Sequence, residues 1–561
     1  MKTQIIIPMS GFGERFRRAG YTIPKPLIEI DGKPIIAHVI DMFKGEEDFL
    51  FICNQDHLND NNFNMESILK KYCPTGRIIG IPAHKLGPIY AVNTIKELID
   101  DSRPVVLNYC DFTCYWDWKH FMKFSNDTNC DGAIPAYKGF HPHSLGKTNY
   151  AYMKESDGWL EDIQEKEPYT ENRINEFASS GTYYFKSGKL MKDSFGYVIK
   201  NNINVGNEFY VSLAYKYLLK NNLNVSVYPL QHFMQWGTPD DVDEYNNWSN
   251  TFKDILSKKY ENISKINRYQ SNIIAMAGLG KRFSDEGYKK TKPMIEVSGK
   301  PMVLQAANDL PASMSNTYVL RSDMQDYKKI IKNIEKSDVS ASFKILDNVT
   351  DGQASTALIG LEHLEKLSNK PLGAITFGAC DSGFLYDFDE YKKLINNDDV
   401  DVIVWAARGN INARRKPEMF GWIEEKNCKI SNISVKVPLD NPKNDPMVVG
   451  TFTYKKSQDF KDSVARLKSR KGLVNGEFYI DSCINDSIAL GLNCYILEVS
   501  SYLSWGTPDD LKTFEYWQSC FHKWQGHPYK LENDSRVYKN SINSLEAKYK
   551  KIVPEIIKPK D

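Results

Sequence analysis

A pair of glycines and two basic residues follow the first apolar segment of the chain. Gly11 and Gly13 come shortly after the apolar run 4–8, and Arg15 and Lys25 come next. Glycines at such a turn let backbone N–H groups approach an anion closely, and the basic side chains neutralise its charge. The group indicates a site for a phosphate-bearing ligand. The Gly-x-Gly turn by itself is equally compatible with a tight strand-to-helix connection.

The same group occurs a second time, with the same spacing, as Gly278, Gly280, Arg282 and Lys292. Two further segments also recur. Residues 25–34 (KPLIEIDGKP) return as 292–301 (KPMIEVSGKP), and residues 236–241 (WGTPDD) return unchanged as 505–510. A repeat of this length indicates a duplicated domain rather than a solenoid.

The repeat predicts four segments. They are a first domain over 1–250, a polar helical linker over 251–270, a second domain over 271–525, and a polar tail over 526–561 that is helical or partly disordered.

Within each copy, short apolar strands alternate with helical patterns. In the first copy, strands are predicted at 4–8, 49–53, 77–81 and 104–110, and helices at 33–43 and 87–98. Strands separated by helices imply parallel crossover units. We expect an α/β fold of two tandem Rossmann-like domains, each a mostly parallel twisted sheet flanked by helices.

Two familiar phosphate sites are excluded by the residues around the glycine turn. No Gly-Lys-Ser/Thr follows the turn, so the site is not a P-loop. Phe16 stands where the dinucleotide-binding motif needs a third glycine, which disfavours a dehydrogenase.

The Gly-x-Gly-x-Arg-Phe loop followed by KPLIEIDGKP resembles the sugar-phosphate nucleotidyltransferase family. The family includes glucose-1-phosphate thymidylyltransferase, mannose-1-phosphate guanylyltransferase and sugar-phosphate cytidylyltransferases, and the resemblance covers each copy nearly end to end. It implies an EC 2.7.7-type enzyme, possibly bifunctional, that joins a nucleoside triphosphate to a sugar phosphate or related small phosphate. An activated sugar and pyrophosphate would be the products, Mg²⁺ the cofactor, and surface-glycan precursor synthesis the usual role.

The resemblance implies a role for each matching residue of the first copy. Gly11, Gly13 and Gly87 would hold the nucleotide, Arg15 and Lys25 its phosphates, Asp111 the metal, Lys166 the sugar phosphate, and Gly181 and Glu208 the sugar. Taken singly, Asp111 could equally cap a turn and Lys166 could be a solvated loop charge.

The second copy repeats most of this set. Its counterparts are Gly278, Gly280 and Gly352 for the nucleotide, Arg282, Lys292 and Lys436 for phosphates, Asp381 for the metal, and Gly450 and Glu477 for the sugar. Residues 351–355 differ from the first copy's segment around Gly87, and Val435 replaces Glu165. The two copies are therefore not expected to hold identical ligands. One alternative is an active first copy beside a regulatory or scaffolding second copy.

One departure from the family pattern affects the metal. The family often carries a second metal-binding aspartate where this chain has Gln235 and Ser504. A metal held by one carboxylate and the substrate phosphates remains plausible, because Mg²⁺ commonly uses one or two carboxylates and keeps its waters.

The remaining alternatives concern the reaction and the base. A nucleotide-sugar-dependent glycosyltransferase would normally show Asp-x-Asp at the strand end, whereas this chain has Asp111-Phe112-Thr113. The segment around Gly87 lacks the Gly-Thr-Ala-Gly pattern of guanylyl-transferring relatives, which favours a pyrimidine nucleotide.

Composition narrows the class of protein. Lys and Arg number 72 against 71 for Asp and Glu, so no global positive field favours nucleic acid or anionic membranes. No apolar run approaches the roughly 18 residues that span a bilayer, and the N-terminal apolar run is too short for a signal peptide. Ten scattered cysteines form no metal-binding or disulfide pattern. We expect a cytoplasmic protein without a membrane or nucleic-acid partner.

Overall fold

The protein is described by a computed structural model over residues 2–230, 232–257, 260, 270–369 and 371–550. The chain divides into two compact units, the first built mainly from residues up to Ser249 and the second from Asn250–Leu545. The division falls one residue before the end predicted for the first domain. Within the described residues, no helix is both long enough and apolar enough to cross a membrane.

The first unit contains fourteen strands and nine helices among its described residues. The strands are β1 (Gln4–Met9), β2 (Glu29–Ile30), β3 (Lys33–Pro34), β4 (Phe49–Asn54), β5 (Arg77–Ile81), β6 (Val105–Asn108), β7 (Phe112–Tyr115), β8 (Gly132–Tyr137), β9 (Ala151–Ser156), β10 (Trp159–Glu165), β11 (Phe177–Ser179), β12 (Thr182–Phe185), β13 (Val225–Pro229) and β14 (His232–Gln235). The helices are α1 (Glu14–Arg18), α2 (Ile35–Asp41), α3 (Gln55–Asn59), α4 (Met65–Tyr72), α5 (Pro88–Asn93), α6 (Trp118–Asp127), α7 (Gly188–Lys200), α8 (Tyr215–Lys220) and α9 (Pro239–Ile255), which continues past the division between the units.

The main sheet of the first unit has the strand order β11-β9-β10-β13-β8-β12-β6-β1-β4-β5. Strands β6, β1, β4 and β5 are parallel, with Ile5 paired to both Phe49 and Val106. Ile5, Ile6 and Ile7 of β1 are fully buried, as expected of a central parallel strand covered on both faces. The predicted α/β class and the parallel strands around β1 are confirmed.

The other half of this sheet is largely antiparallel, which the sequence analysis did not predict. Strand β12 pairs antiparallel with β6 and β8, and β9 pairs antiparallel with β10 across a tight turn. Short connections allow antiparallel pairing, whereas parallel strands need a long crossover. The sheet is therefore mixed, and its parallel half carries the glycine turn.

The second unit is built from a corresponding series of elements. Its strands are β15 (Ser271–Ala275), β16 (Glu296–Val297), β17 (Lys300–Pro301), β18 (Ser315–Arg321), β19 (Ala341–Leu346), β20 (Ile375–Ala379), β21 (Ser382–Leu385), β22 (Val402–Ala407), β23 (Gly421–Lys426), β24 (Lys429–Val435), β25 (Met447–Tyr454), β26 (Cys494–Glu498) and β27 (Ser501–Ser504). The helices are α10 (Lys281–Asp285), α11 (Met302–Asp309), α12 (Tyr327–Glu335), α13 (Gln353–Leu367), α14 (Phe388–Ile395), α15 (Ile411–Arg415), α16 (Ser457–Ser469), α17 (Ile480–Ala489), α18 (Pro508–Lys523) and α19 (Ile542–Lys550), which begins in this unit and continues past its end at Leu545.

The main sheet of the second unit repeats the strand order of the first. Its order is β19-β18-β15-β20-β25-β22-β26-β24-β23, in which the single strand β25 takes the place of β11 and β12. Strands β20, β15, β18 and β19 are parallel, like β6, β1, β4 and β5. The sequence repeat thus corresponds to a repeated chain topology.

The segments predicted as linker and tail differ in how far they are described. Helix α9 covers the start of the linker as far as Ile255, whereas residues 258, 259 and 261–269 lie outside the described residues. The tail contains the helix α19, but its first part is not a polar extension. Tyr529 and Leu531 are fully buried, so this part of the tail belongs to the packed structure of the second unit.

Candidate active site

Two cavities of about 360 and 450 Å³ lie at the carboxyl ends of β1 and β6 in the first unit. They share a wall that contains Gly13, Lys25, Asp111 and Glu208. The other predicted residues of the first copy line one cavity each: Gly11 and Gly87 the smaller, and Arg15, Lys166 and Gly181 the larger. The structure thus brings together all nine residues predicted for this copy.

Glycine at position 87 is required by packing and by backbone conformation. Gly87 precedes α5 with φ 84°, and a Cβ there would lie 2.7 Å from the backbone nitrogen of Phe209. The two segments are joined by hydrogen bonds from the Phe209 N–H to the Leu86 carbonyl (2.9 Å) and from the Ile89 N–H to the Phe209 carbonyl (3.1 Å). This contact fixes Glu208 beside the smaller cavity.

An ion pair lies in the wall that the two cavities share. Lys25 Nζ lies 2.9 Å from Asp111 Oδ2, and Asp111 follows the end of β6. Burial acts to lower the pKa of Lys25, but the charges of Asp111 and Cys110 and the hydrogen bond to Asp111 together raise the pKa. Lys25 therefore stays protonated at neutral pH and offers a fixed positive charge to an anion.

Asp111 and Gln235 provide oxygen atoms suited to a hard cation. Gln235 pairs with Phe112 in the antiparallel ladder of β14 and β7, which places it beside Asp111. Gln235 Nε2 donates to Asp241 Oδ1 at 2.5 Å, and the buried Gln235 Oε1 has no hydrogen-bond partner among the described residues. A carboxylate and a free amide oxygen fit Mg²⁺, so Gln235 still offers a ligand where the family often has aspartate.

The larger cavity contains a second, partly buried lysine and a carboxyl group that sequence reasoning did not assign. Lys166 has φ 61°, contacts the Tyr210 hydroxyl and lies 4.2 Å from the centre of the Tyr210 ring. Beside it, Glu165 Oε2 accepts a hydrogen bond from Ser212 Oγ at 2.6 Å. Burial raises the pKa of Glu165 to about 7. The position of Glu165 directly before Lys166 was the signal in the sequence that could have identified it. Its burial, however, depends on residues that are distant in sequence.

The second unit repeats the central contacts. Lys292 and Asp381 form an ion pair, and the charge of Asp381 raises the pKa of Lys292 although burial opposes this. Gly352 precedes α13 with φ 139°, and a Cβ there would collide with the backbone of Phe478.

The other predicted residues of the second copy occupy matching places. Gly278 and Gly280 follow β15, Arg282 lies in α10, Lys436 follows β24 with φ 63°, Gly450 lies in β25 with φ 79°, and Glu477 forms a bridge with Val474. Ser504 corresponds to Gln235 and lies near Asp381. A Cβ on Gly506 would lie 3.3 Å from Asp381 Oδ2 and 3.9 Å from Ser504 Oγ. The second unit therefore keeps the cations and the aspartate but changes their surroundings.

Residues 4–244 match the family model described as "Nucleotidyl transferase". The matched residues lie in the first unit and make up less than half of the chain. Its curated relatives include the mannose-1-phosphate guanylyltransferase catalytic subunit beta of Drosophila melanogaster, 25% identical over 34% of this chain and 49% of the relative. Another is the mannose-1-phosphate guanyltransferase of Aspergillus oryzae, 28% identical over 26% of this chain and 40% of the relative. The chain thus spans about half the length, or less, of the curated relatives it matches.

The solved structures similar to this chain have low sequence identity to it. One is a nucleoside-diphosphate-sugar pyrophosphorylase from Vibrio cholerae, with 22% identity, a TM-score of 0.37 and coverage of 43% of this chain and 98% of that one. A second is a putative glucose-1-phosphate thymidylyltransferase from Bacillus anthracis, with 18% identity, a TM-score of 0.36 and coverage of 44% and 93%.

Proposed function

We propose that the first unit transfers a nucleoside monophosphate group from a nucleoside triphosphate to a sugar phosphate or related small phosphate. The observation that carries this proposal is the Lys25–Asp111 pair in the wall shared by the two cavities. The glycine turn lies on one side of the pair and Lys166 on the other, so each cavity has its own cationic or N–H-rich wall for a phosphate group. The family match supports the same reaction class.

In the proposed reaction, a phosphate oxygen of the sugar phosphate attacks the α-phosphorus of the triphosphate. The bond from the α-phosphorus to the bridging oxygen breaks, and pyrophosphate leaves with that electron pair. Two anions must be brought together, so the main tasks are positioning and charge neutralisation. Arg15, Lys25 and Lys166 supply the positive charges, and the attacking phosphate needs no base because it is already ionised.

Mg²⁺ is part of the proposal. Asp111 and Gln235 Oε1 would hold it, and it would neutralise charge on the triphosphate. The Asp111 carboxylate would then divide its contacts between the metal and Lys25.

The base and the biological setting are further parts of the proposal. The sequence around Gly87 favours a pyrimidine nucleotide, whereas the curated relatives are named for guanylyl transfer, so GTP is the competing case. We also propose a cytoplasmic location and a role in surface-glycan precursor synthesis.

The proposal is tested by pyrophosphate release from the full chain carrying Lys292→Ala, which removes the corresponding lysine of the second unit. Each of CTP, UTP, dTTP and GTP is combined with a panel of sugar and polyol phosphates in the presence of Mg²⁺. We expect release with at least one pair, and the Lys25→Ala/Lys292→Ala chain provides the blank. No release with any pair would contradict the proposal. Release of a nucleoside diphosphate from a nucleotide sugar would favour a glycosyltransferase instead.

A further inference from the structure

In the first unit, a strand supplies a carboxyl group near Lys166, the lysine of the larger cavity. Glu165 is the last residue of β10, directly before Lys166, and it pairs with Ala151 of β9. Ser212, from the segment before α8, donates a hydrogen bond to Glu165. One carboxylate oxygen is thus already occupied by the protein.

The second unit places its carboxyl group on the opposite element. Val435 ends β24 directly before Lys436, in the place of Glu165, and it pairs with Gly421 of β23. Asp481, in the first turn of α17, takes the place of Ser212. The carboxyl group has therefore moved from the strand to the helix.

A third exchange shows that the first two belong together. Gly421 stands where the first unit has Ala151, and a Cβ at Gly421 would be closer to Asp481 Oδ2 than van der Waals contact allows. The glycine therefore makes the space that the relocated carboxyl group occupies. Ser212 is smaller than aspartate, so the first unit can accommodate Ala151.

The Asp481 carboxylate can accept a further hydrogen bond from a ligand. It is partly exposed, it accepts a hydrogen bond from its own backbone N–H, and no other side chain in the described part of the chain donates to it. Burial raises its pKa to about 6, and the charge of Lys436 opposes the rise. Asp481 is therefore mostly ionised at neutral pH. The ammonium group of Lys436 donates to the Met419 carbonyl and lies 5.8 Å from the centre of the Tyr479 ring.

We infer that the second unit has an acceptor site of its own, in which Asp481 accepts a hydrogen bond from a hydroxyl of a sugar phosphate or polyol phosphate. This inference rests on the function proposed above. The lysines Lys166 and Lys436 follow equivalent strands in the same left-handed conformation, so both units present a cation for a phosphate at a corresponding place. The carboxylate approaches that place from β10 in one unit and from α17 in the other. The acceptor of the second unit therefore differs from that of the first in the position or configuration of a hydroxyl group.

The test compares two full-length chains in which one unit is silenced. The Lys25→Ala chain reports the second unit and the Lys292→Ala chain reports the first, each assayed for pyrophosphate release with the same triphosphates and polyol phosphates. We expect different preferred acceptors. In the Lys25→Ala chain, Asp481→Ser should lower kcat/KM for the acceptor about 10- to 100-fold, with KM for the triphosphate nearly unchanged. Asp462→Ser, an exposed change on α16, is the matched control and should have no effect.

Two further variants separate specificity from folding. Asp481→Asn keeps the shape of the side chain and should still lower kcat/KM. Combining Gly421→Ala, Val435→Glu and Asp481→Ser should shift the acceptor preference of the second unit toward that of the first.

Several results would overturn the inference. They are identical acceptor preferences in the two chains, an unchanged kcat/KM in both Asp481 variants, or a Lys25→Ala chain that neither turns over nor binds any acceptor by ³¹P NMR. If the Lys292→Ala chain is active while the second unit is silent, only this inference fails. If both chains are silent with every pair, the proposed function fails as well.

Discussion

Glu165 is a carboxyl group whose ionisation is suppressed by the fold. Burial raises its pKa from 4.5 to about 7, so the folded chain retains a proton that the unfolded chain loses in this range. The free energy of unfolding should therefore fall as the pH rises from about 4.5 through 7. Glu165→Gln should remove this loss, which urea unfolding at several pH values would measure. Glu161→Gln, an exposed change on the same strand, should keep the wild-type pH dependence, and a Glu165→Gln profile parallel to wild type would contradict the assignment.

The residues of the candidate site could be predicted from the sequence where they lie in a recognisable motif. The motifs and the family resemblance predicted that Gly13, Lys25 and Asp111 belong to one site, and the structure brings these residues together. The opposite case is Glu165, because Ser212, which donates a hydrogen bond to it, is distant in sequence. Asp481 was missed for the same reason. Its partner Gly421 is its neighbour only after β23 and α17 have packed.

At the scale of elements, the segment after α18 is attached to the second unit by a buried ion pair. Arg536 donates to both carboxylate oxygens of Asp309 at 2.6 and 2.7 Å, and Asp309 also accepts from the Phe384 N–H at 3.0 Å. Tyr529, near the start of the predicted tail, is also fully buried. The packing of this segment was not predicted, because the predicted tail over 526–561 has a polar composition.

Removing one partner of this pair should destabilise the second unit. Arg536→Ala leaves Asp309 buried without its counter-charge, and we expect a loss of about 3–5 kcal/mol in the free energy of unfolding. Denaturant unfolding measures the loss, and hydrogen exchange should become faster in α11, which ends at Asp309, and in β21, whose Phe384 N–H donates to Asp309. Lys539→Ala, an exposed change in the same segment, should have little effect. A loss below about 1 kcal/mol for Arg536→Ala would show that the segment is held by other contacts.

The antiparallel half of each sheet reflects how its strands are connected. Alternation of strands and helices predicted the parallel strands around β1, because crossover helices leave a helical pattern in the sequence. Strands β9 and β10 are joined by a turn, and their pairing direction follows from that short connection. Reading the connection length there would have predicted the mixed sheet.

At the scale of the whole molecule, the chain is one topology used twice. The two main sheets share their strand order, and each unit has a lysine–aspartate pair beside its glycine turn. The balanced net charge of +1 hides these local cations. Each pair could therefore bind a small anion without giving the protein affinity for extended polyanions.

The most direct test of the proposed reaction is the rate of pyrophosphate release by the Lys292→Ala chain with and without Lys25→Ala. Lys25 is the cation in the wall shared by the two cavities, so its removal should lower kcat at least about 100-fold. Lys33→Ala is the control, because Lys33 is exposed and pairs with Asp41 at 2.7 Å. It should leave the rate unchanged. A nearly unchanged rate after Lys25→Ala would contradict the proposed role of the Lys25–Asp111 pair in nucleotidyl transfer.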